Sequence, residues 1–330
     1  MSNHTRFIRL SPASERSDGR NGRTVFGWAH ATEPVKLVDH RGLFNHHQRR
    51  LHQILSEYPR PGVAVFAVHG RDGMAGHLWL EASERLRAGT IGRHSRVDLF
   101  LPGDGELSLR HLLVLVRRAR IQVLDLATPA GFQAEQGGVL RGVDASGPFV
   151  LRAASYSLFL FPTGAPPPWD RHAADPWSTL PPRLVSSSER SPRRPSSGPR
   201  ADPGQTAVGV REGPCEAGPL PALEPGETAA GLLLIENGGA QECVAVGSRA
   251  LERGLILGRY ARCTGDTGVT TNDVSRVHAV LIEQDGEVHL VDAGSSNGVS
   301  RDGGPVKCEA IAPARTYHLG SMRVSWEPAH

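Results

Sequence analysis

The sequence predicts an all-β chain: two sandwiches of antiparallel strands, a short helix ahead of the first, and a disordered Pro/Ser/Arg-rich linker between them. Three observations carry this expectation. Short apolar runs recur, separated by Gly, Pro and Asp, as in a protein of many short strands with tight turns. A long stretch rich in Pro, Ser and Arg divides them. A set of residues in the first half also returns in the second half at nearly the same intervals. The expected layout is an N-terminal extension over 1–60, a first sandwich over 61–163, a linker over 164–228 and a second sandwich over 229–330.

Residues 1 to about 42 are polar and rich in Arg, Ser, Asn and Gly, which predicts a loosely held segment without a signal-peptide core. From Asn45 to Tyr58 the pattern changes. Leu51, Ile54, Leu55 and Tyr58 recur at helical spacing, and Pro59 and Pro61 stop the turn. His40, His46, His47 and His52 cluster here, but their spacing does not put three on one helical face. No carboxylate or thiolate completes a ligand set, so no metal is expected. The runs of the first sandwich are Val63 to Val68, His77 to Glu81, Val97 to Leu101, Leu112 to Val116, Ile121 to Leu126, Phe149 to Leu151 and Tyr156 to Phe161.

Between Pro162 and Thr228, runs such as Pro166-Pro167-Pro168 and Ser186 to Pro199 predict a disordered spacer. Trp169 and Trp177 stand out in it as partner-binding candidates, and Thr179 and Thr206 as intramolecular phosphorylation targets. The second sandwich is expected to open on strands over Gly231 to Glu236 and Glu242 to Val246, joined by an Asn237-Gly238-Gly239 turn. Leu255 to Leu257 follows. Ala279 to Ile282 then pairs with Val288 to Val291 across Gln284-Asp285-Gly286-Glu287, and Met322 to Trp326 closes the sheet. Alternation predicts one apolar face per strand and two sheets packed face to face.

Composition narrows the function classes. The 330 residues carry a formal charge of +3, so no electrostatic case for nucleic acid arises. Arg outnumbers Lys 35 to 2, and with abundant Gly, Ala and Pro this suggests GC-rich coding and a bacterial source. No apolar run is long enough to span a membrane. Cys215, Cys243, Cys263 and Cys308 are scattered without C-x-x-C spacing, which points to a reduced, cytoplasmic setting.

The residues that suggest chemistry lie in the second half: Gly258-Arg259, then Ser275-Arg276-Val277-His278, then Ser295-Ser296-Asn297-Gly298. Arg259 offers a planar guanidinium that stays charged at any working pH, and Ser275 a short hydroxyl donor. A phosphorylated side chain, with nearly two charges and three acceptor oxygens, requires such a pair. Asn297, a donor and an acceptor together, suits a peptide backbone. The set closely resembles the motifs of the forkhead-associated (FHA) family. The resemblance implies a β-sandwich that binds phosphothreonine peptides and catalyses nothing, with no cofactor and with Ser/Thr kinases or their substrates as partners. It implies that Arg259 and Ser275 hold the phosphate, that Ser296 helps contact the phosphorylated residue, and that Arg276 and Asn297 touch the peptide. It also makes Gly258, His278 and Gly298 structural, with His278 bracing the loop that bears the serine.

The first half repeats the framework. Gly92-Arg93, Ser108, His111, Asp125 and Gly131 answer Gly258-Arg259, Ser275, His278, Asp292 and Gly298. Gly to His is 19 residues in one copy and 20 in the other, His to Asp 14 in both, and Asp to Gly 6 in both. Leu109, Pro129 and Ala130 occupy the places of Arg276, Ser296 and Asn297, so this copy is expected to be degenerate, with at most a residual phosphate site at Arg93 and Ser108. Two other functions compete with this reading. A phosphate-independent scaffold would use both sandwiches as docking surfaces. A serine hydrolase would use Ser296 in Gly294-Ser295-Ser296-Asn297-Gly298, with His318 downstream, but that motif needs a helix directly after the serine, and Val299 to Pro305 does not read as one.

Overall fold

The computed structural model describes residues 39–135, 137–187, 206–212, 221–260, 263 and 271–329. Expectations for residues 1–38 and for most of the Ser/Arg-rich stretch, Cys215 included, lie outside the described residues. Helix α1 (His40–Ser56) begins five residues before the expected start and takes in the end of the segment expected to be loose. Its buried stripe is Phe44, Gln48, Leu51, Ile54 and Leu55, the face that helical spacing selects.

The first sandwich comprises β1 (Gly62–His69), β2 (Gly73–Glu81), β3 (Arg87–Gly92), β4 (Leu99–Phe100), β5 (Leu112–Arg117), β6 (Arg120–Asp125), β7 (Phe132–Ala134), β8 (Gly137–Ala145), β9 (Phe149–Ala153) and β10 (Tyr156–Thr163). They form one wrapped path, β2-β1-β10-β9-β7-β8-β6-β5-β3-β4. Instead of the expected run over 97–101, only the two residues of β4 form a strand.

The disordered-linker expectation is corrected where the stretch is described. Trp169 is 6% exposed and packs edge-on to Phe44 with centroids 5.2 Å apart, and Trp177 meets the same ring at 5.4 Å. Asn45 Nδ2 donates to Asp175 Oδ1 at 2.7 Å and its Oδ1 accepts from Trp177 N at 3.0 Å. Two indoles that cover a helix bury enough apolar area to order a Pro-rich segment. Both tryptophans are therefore spent inside the chain, which corrects the partner-binding expectation. Further on, β11 (Arg183–Ser187) pairs in parallel with β12 (Thr206–Glu212), which adds to the edge of β8. The Thr179 hydroxyl donates to Pro176 O at 2.7 Å and accepts from Asp170 N at 2.9 Å, so this candidate target is already engaged.

The second sandwich comprises β13 (Ala229–Asn237), β14 (Ala240–Gly247), the short α2 (Ser248–Arg253), β15 (Leu255–Leu257), β16 (Ala279–Gln284), β17 (Glu287–Asp292), β18 (Val299–Arg301), β19 (Gly304–Val306), β20 (Cys308–Ala310), β21 (Thr316–Leu319) and β22 (Met322–Pro328). Sheet β14-β13-β22-β21-β18-β19 packs on sheet β15-β16-β17-β20 around Leu233, Leu257, Leu281, Leu290, Tyr317 and Trp326. The Gly238-Gly239 and Asp285-Gly286 turns hold positive φ at both residues, as a two-residue hairpin requires.

One expectation for this sandwich fails. In β15, β16 and β17 both faces are buried, not one. Leu257, Leu281 and Leu290 fill the sandwich core, while Ile256, Val280, Ile282 and Val291 join a separate cluster with Leu113, Leu115, Leu124 and Leu126 of the first sandwich. Leu113, Leu115, Leu124 and Leu126 are the positions in the first copy that answer Val280, Ile282, Val291 and Ala293 in the second. The two sandwiches thus pack through the same face, an approximately two-fold contact made within one chain. Polar bonds close the seam at its hairpin end: Gln284 Nε2 donates to Gln122 Oε1 at 2.6 Å, and Arg117 reaches Gln284 O at 3.0 Å and Glu287 at 2.8 Å. At the other end, Arg110 donates through Nε and Nη2 to Gly294 O at 3.0 and 2.6 Å. Hairpins meet hairpins, so the loop rims of the two sandwiches lie side by side. Among the described residues, no helix is long and apolar enough to cross a membrane.

Candidate phosphopeptide site

Three loops of the second sandwich meet at one rim. Gly258 follows β15 directly and lies against the loop before β16, where Arg259 N donates to Ser275 O and Tyr260 N to Arg276 O, each at 3.1 Å. The loop between β17 and β18 comes in from the other side: Ser296 N donates to Ser275 Oγ at 2.9 Å, and Asn297 Nδ2 to Asp273 O at 2.8 Å. Ser275 is thereby held by both flanking loops. Its oxygen accepts from Ser296, and its own O–H remains a donor. Arg259, Arg276, Ser296 and Asn297 are exposed around it.

His278 ties the loops from beneath. It is fully buried; its Nδ1 accepts from Ser275 N at 3.0 Å and its Nε2 donates to Gly298 O at 2.9 Å. These roles require the neutral ring, and burial pushes its pKa below the ordinary 6.5. An unfolded chain at the ordinary value takes up the proton first, so the contribution of the neutral ring is complete above about pH 6.5 and is lost as pH falls through the lowered folded value. His40, His77, His111 and His289 shift the same way, burial being the leading cause in each. The expected outcome is a thermal midpoint that falls between pH 7 and pH 5. A flat profile across that range would contradict a neutral buried His278.

The same frame stands in the first sandwich. Arg93 N donates to Ser108 O at 3.1 Å, His94 N to Leu109 O at 3.0 Å, and Ser108 N to His111 Nδ1 at 3.1 Å; His111 Nε2 pairs with Gly131 O at 2.8 Å. The exposed edge differs. Pro129 has no N–H to place where Ser296 donates, and Ala130 has no amide. Arg93 Nε is turned to Leu107 O at 2.7 Å.

Sequence reasoning missed the cross-domain residues. Arg96 lies on the loop between β3 and β4, and its guanidinium donates to Ser296 O. Arg110 is 7% exposed and bonds Gly294, whose φ of +74° lets the chain turn into Ser295. Nothing in local spacing marks either residue, because their partners lie 200 and 184 positions away. Asp273, also unpredicted, anchors the rim by accepting from Ser321 N at 2.5 Å and Ser321 Oγ at 3.1 Å. The residue set of a hydrolase is present without its geometry. The element after Ser296 is the strand β18, and His318 sits on β21 paired with Ser300.

The family model "FHA domain" matches residues 255–318, which hold the three loops. No curated protein matches the chain. Among solved structures, the FHA-1 domain of Mycobacterium tuberculosis Rv1747 is 25% identical, over 31% of this chain and 100% of its own, with a TM-score of 0.25. The FHA domain of CT664 from Chlamydia trachomatis is 16% identical over 30% and 96%, at 0.27. Mycobacterium tuberculosis EmbR, solved with a low-affinity phosphopeptide, is 18% identical over 32% and 26%, at 0.25. By the match of this family model, the second sandwich of this chain carries an FHA domain at residues 255–318.

Proposed function

We propose that the chain is a phosphothreonine-peptide adaptor in Ser/Thr kinase signalling, with the second sandwich as receptor and the first as a copy that has lost normal phosphopeptide recognition. The observation that carries the reading is the lacing of Ser275 by two loops, one bearing Arg259 and the other Ser296 and Asn297. That arrangement puts a permanent cation, a hydroxyl donor and an amide on one rim, the donor set a phosphorylated side chain and its backbone call for. Arg259 and Ser275 bind the phosphate, Ser296 assists, and Arg276 and Asn297 contact the flanking peptide. In the first copy, Leu109, Pro129 and Ala130 replace the peptide-contacting set.

Titration of the full chain with matched Thr and phospho-Thr peptides tests this. Each charge-assisted hydrogen bond is worth about 1.5–3 kcal/mol, so Arg259→Ala or Ser275→Ala weakens phosphopeptide binding about 10- to 100-fold. Arg93→Ala leaves it unchanged. A pocket for one methyl group gives only about 1–3 kcal/mol, so phosphoserine is disfavoured and not excluded. Equal affinity for Thr and phospho-Thr peptides favours a phosphate-independent scaffold instead.

A further inference from the structure

The seam between the two rims places a cation of the first sandwich on the recognition loop of the second. Arg96 is exposed, and its guanidinium donates to the carbonyl of Ser296, whose own N–H donates to Ser275 Oγ at 2.9 Å. One residue of backbone therefore separates Arg96 from the hydroxyl at the centre of the receptor. Across that span the guanidinium lies within about 9 Å of Ser275 Oγ, the reach of two to three residues of extended peptide.

The arrangement is built from both sides. Arg96 O and Thr90 Oγ1 lie so close to Gly294 that a Cβ there would meet each at 3.2 Å. Arg110 clamps Gly294 O with two donors from a buried position, and Lys307 Nζ pairs with Asp98 at 2.8 Å just beyond Arg96. Arg110 faces the carboxylate of Asp292. Arg96 instead neighbours Arg110 and His94, and among the described residues no carboxylate pairs with it. A guanidinium carries five N–H donors, and the bond to Ser296 leaves others for an anion.

We propose that Arg96 completes a composite site, in which it reads a second anionic group, acidic or phosphorylated, two to three residues from the phosphothreonine held by the second sandwich. This rests on the phosphothreonine reading above and specifies its ligand. The first copy, though unable to hold a peptide as the second does, supplies a specificity determinant in cis.

The test uses the full chain and a set of phosphothreonine peptides. One has neutral flanks; the others carry a single Glu or phosphoserine two or three residues to either side. At least one doubly anionic peptide is expected to bind about 5- to 10-fold tighter than the neutral one, a gain that shrinks as salt rises. Arg96→Gln brings that ratio to about 1, whatever its effect on the neutral peptide. A ratio that stays high in Arg96→Gln, or that never exceeds 1 in the natural chain, overturns the composite site while leaving the phosphothreonine reading intact. Failure of every phosphopeptide to outbind its unphosphorylated match overturns both.

Discussion

Gly258→Ala is expected to dismantle the receptor rim. A Cβ at this position would sit 2.3 Å from the carbonyl oxygen of Arg276 and 2.8 Å from that of Ser275. These are backbone atoms, so no side-chain rotation relieves the clash, and the two loops must separate. The bonds that hold them, Arg259 N to Ser275 O and Tyr260 N to Arg276 O, are then lost together. Forced overpacking of this kind costs about 3 kcal/mol, and here it falls on the residues that would hold phosphate. Phosphopeptide binding is expected to disappear and the midpoint of urea unfolding to drop. Gly105→Ala, at a position with nothing within 4 Å, serves as the neutral control. A Gly258→Ala chain with natural stability and affinity would mean that the loops do not approach as described. The same approach recurs in the first sandwich, where a Cβ on Gly92 would meet Leu109 O at 2.4 Å.

Ile282→Asp is expected to part the two sandwiches. Ile282 is fully buried in the cluster shared with Leu113, Leu115, Leu124 and Leu126. Removing its side chain leaves a void, and the carboxylate that replaces it is dry and unpaired. Together these cost about 3–5 kcal/mol. The damage lies outside the core that Leu257, Leu281 and Leu290 build, so the second sandwich itself should survive. Unfolding in urea is then expected to split into two transitions read by separate probes, since the units no longer stabilise one another. Because Arg110 holds Gly294 across the same seam, phosphopeptide affinity is expected to fall as well. A single transition at the natural midpoint would show that the contact contributes little.

Much of this architecture was legible in the residues. Two-residue turns at Gly238-Gly239 and Asp285-Gly286 placed two hairpins, and the paired intervals around His111 and His278 revealed a duplicated frame before any contact was known. The strand β3, with Arg, Ala, Gly and Thr in its sequence, has no apolar run and was invisible to pattern reading. A stronger signal lies in two apolar runs. Leu112 to Val116 and Ala279 to Ile282 are unbroken apolar runs where a strand with one solvated face would alternate, and double-sided burial is what such runs imply. The Pro-rich composition after Pro162 misled because composition sums over residues, whereas Trp169 and Trp177 act individually, each filling a place on α1. Contacts from Arg96 and Arg110 were beyond sequence reasoning altogether: an exposed-type residue carries no mark of a carbonyl it meets only after both units have folded.

The shared face between the sandwiches has a consequence for concentration. Two separate molecules joined by such a patch would come apart on dilution, but here both halves are tethered, and each sees the other at an effective concentration on the order of millimolar however scarce the protein is. Abundance in the cell therefore does not set whether the two rims stand together. A cut in the connecting chain, a competitor for the apolar face or a charge placed within it does.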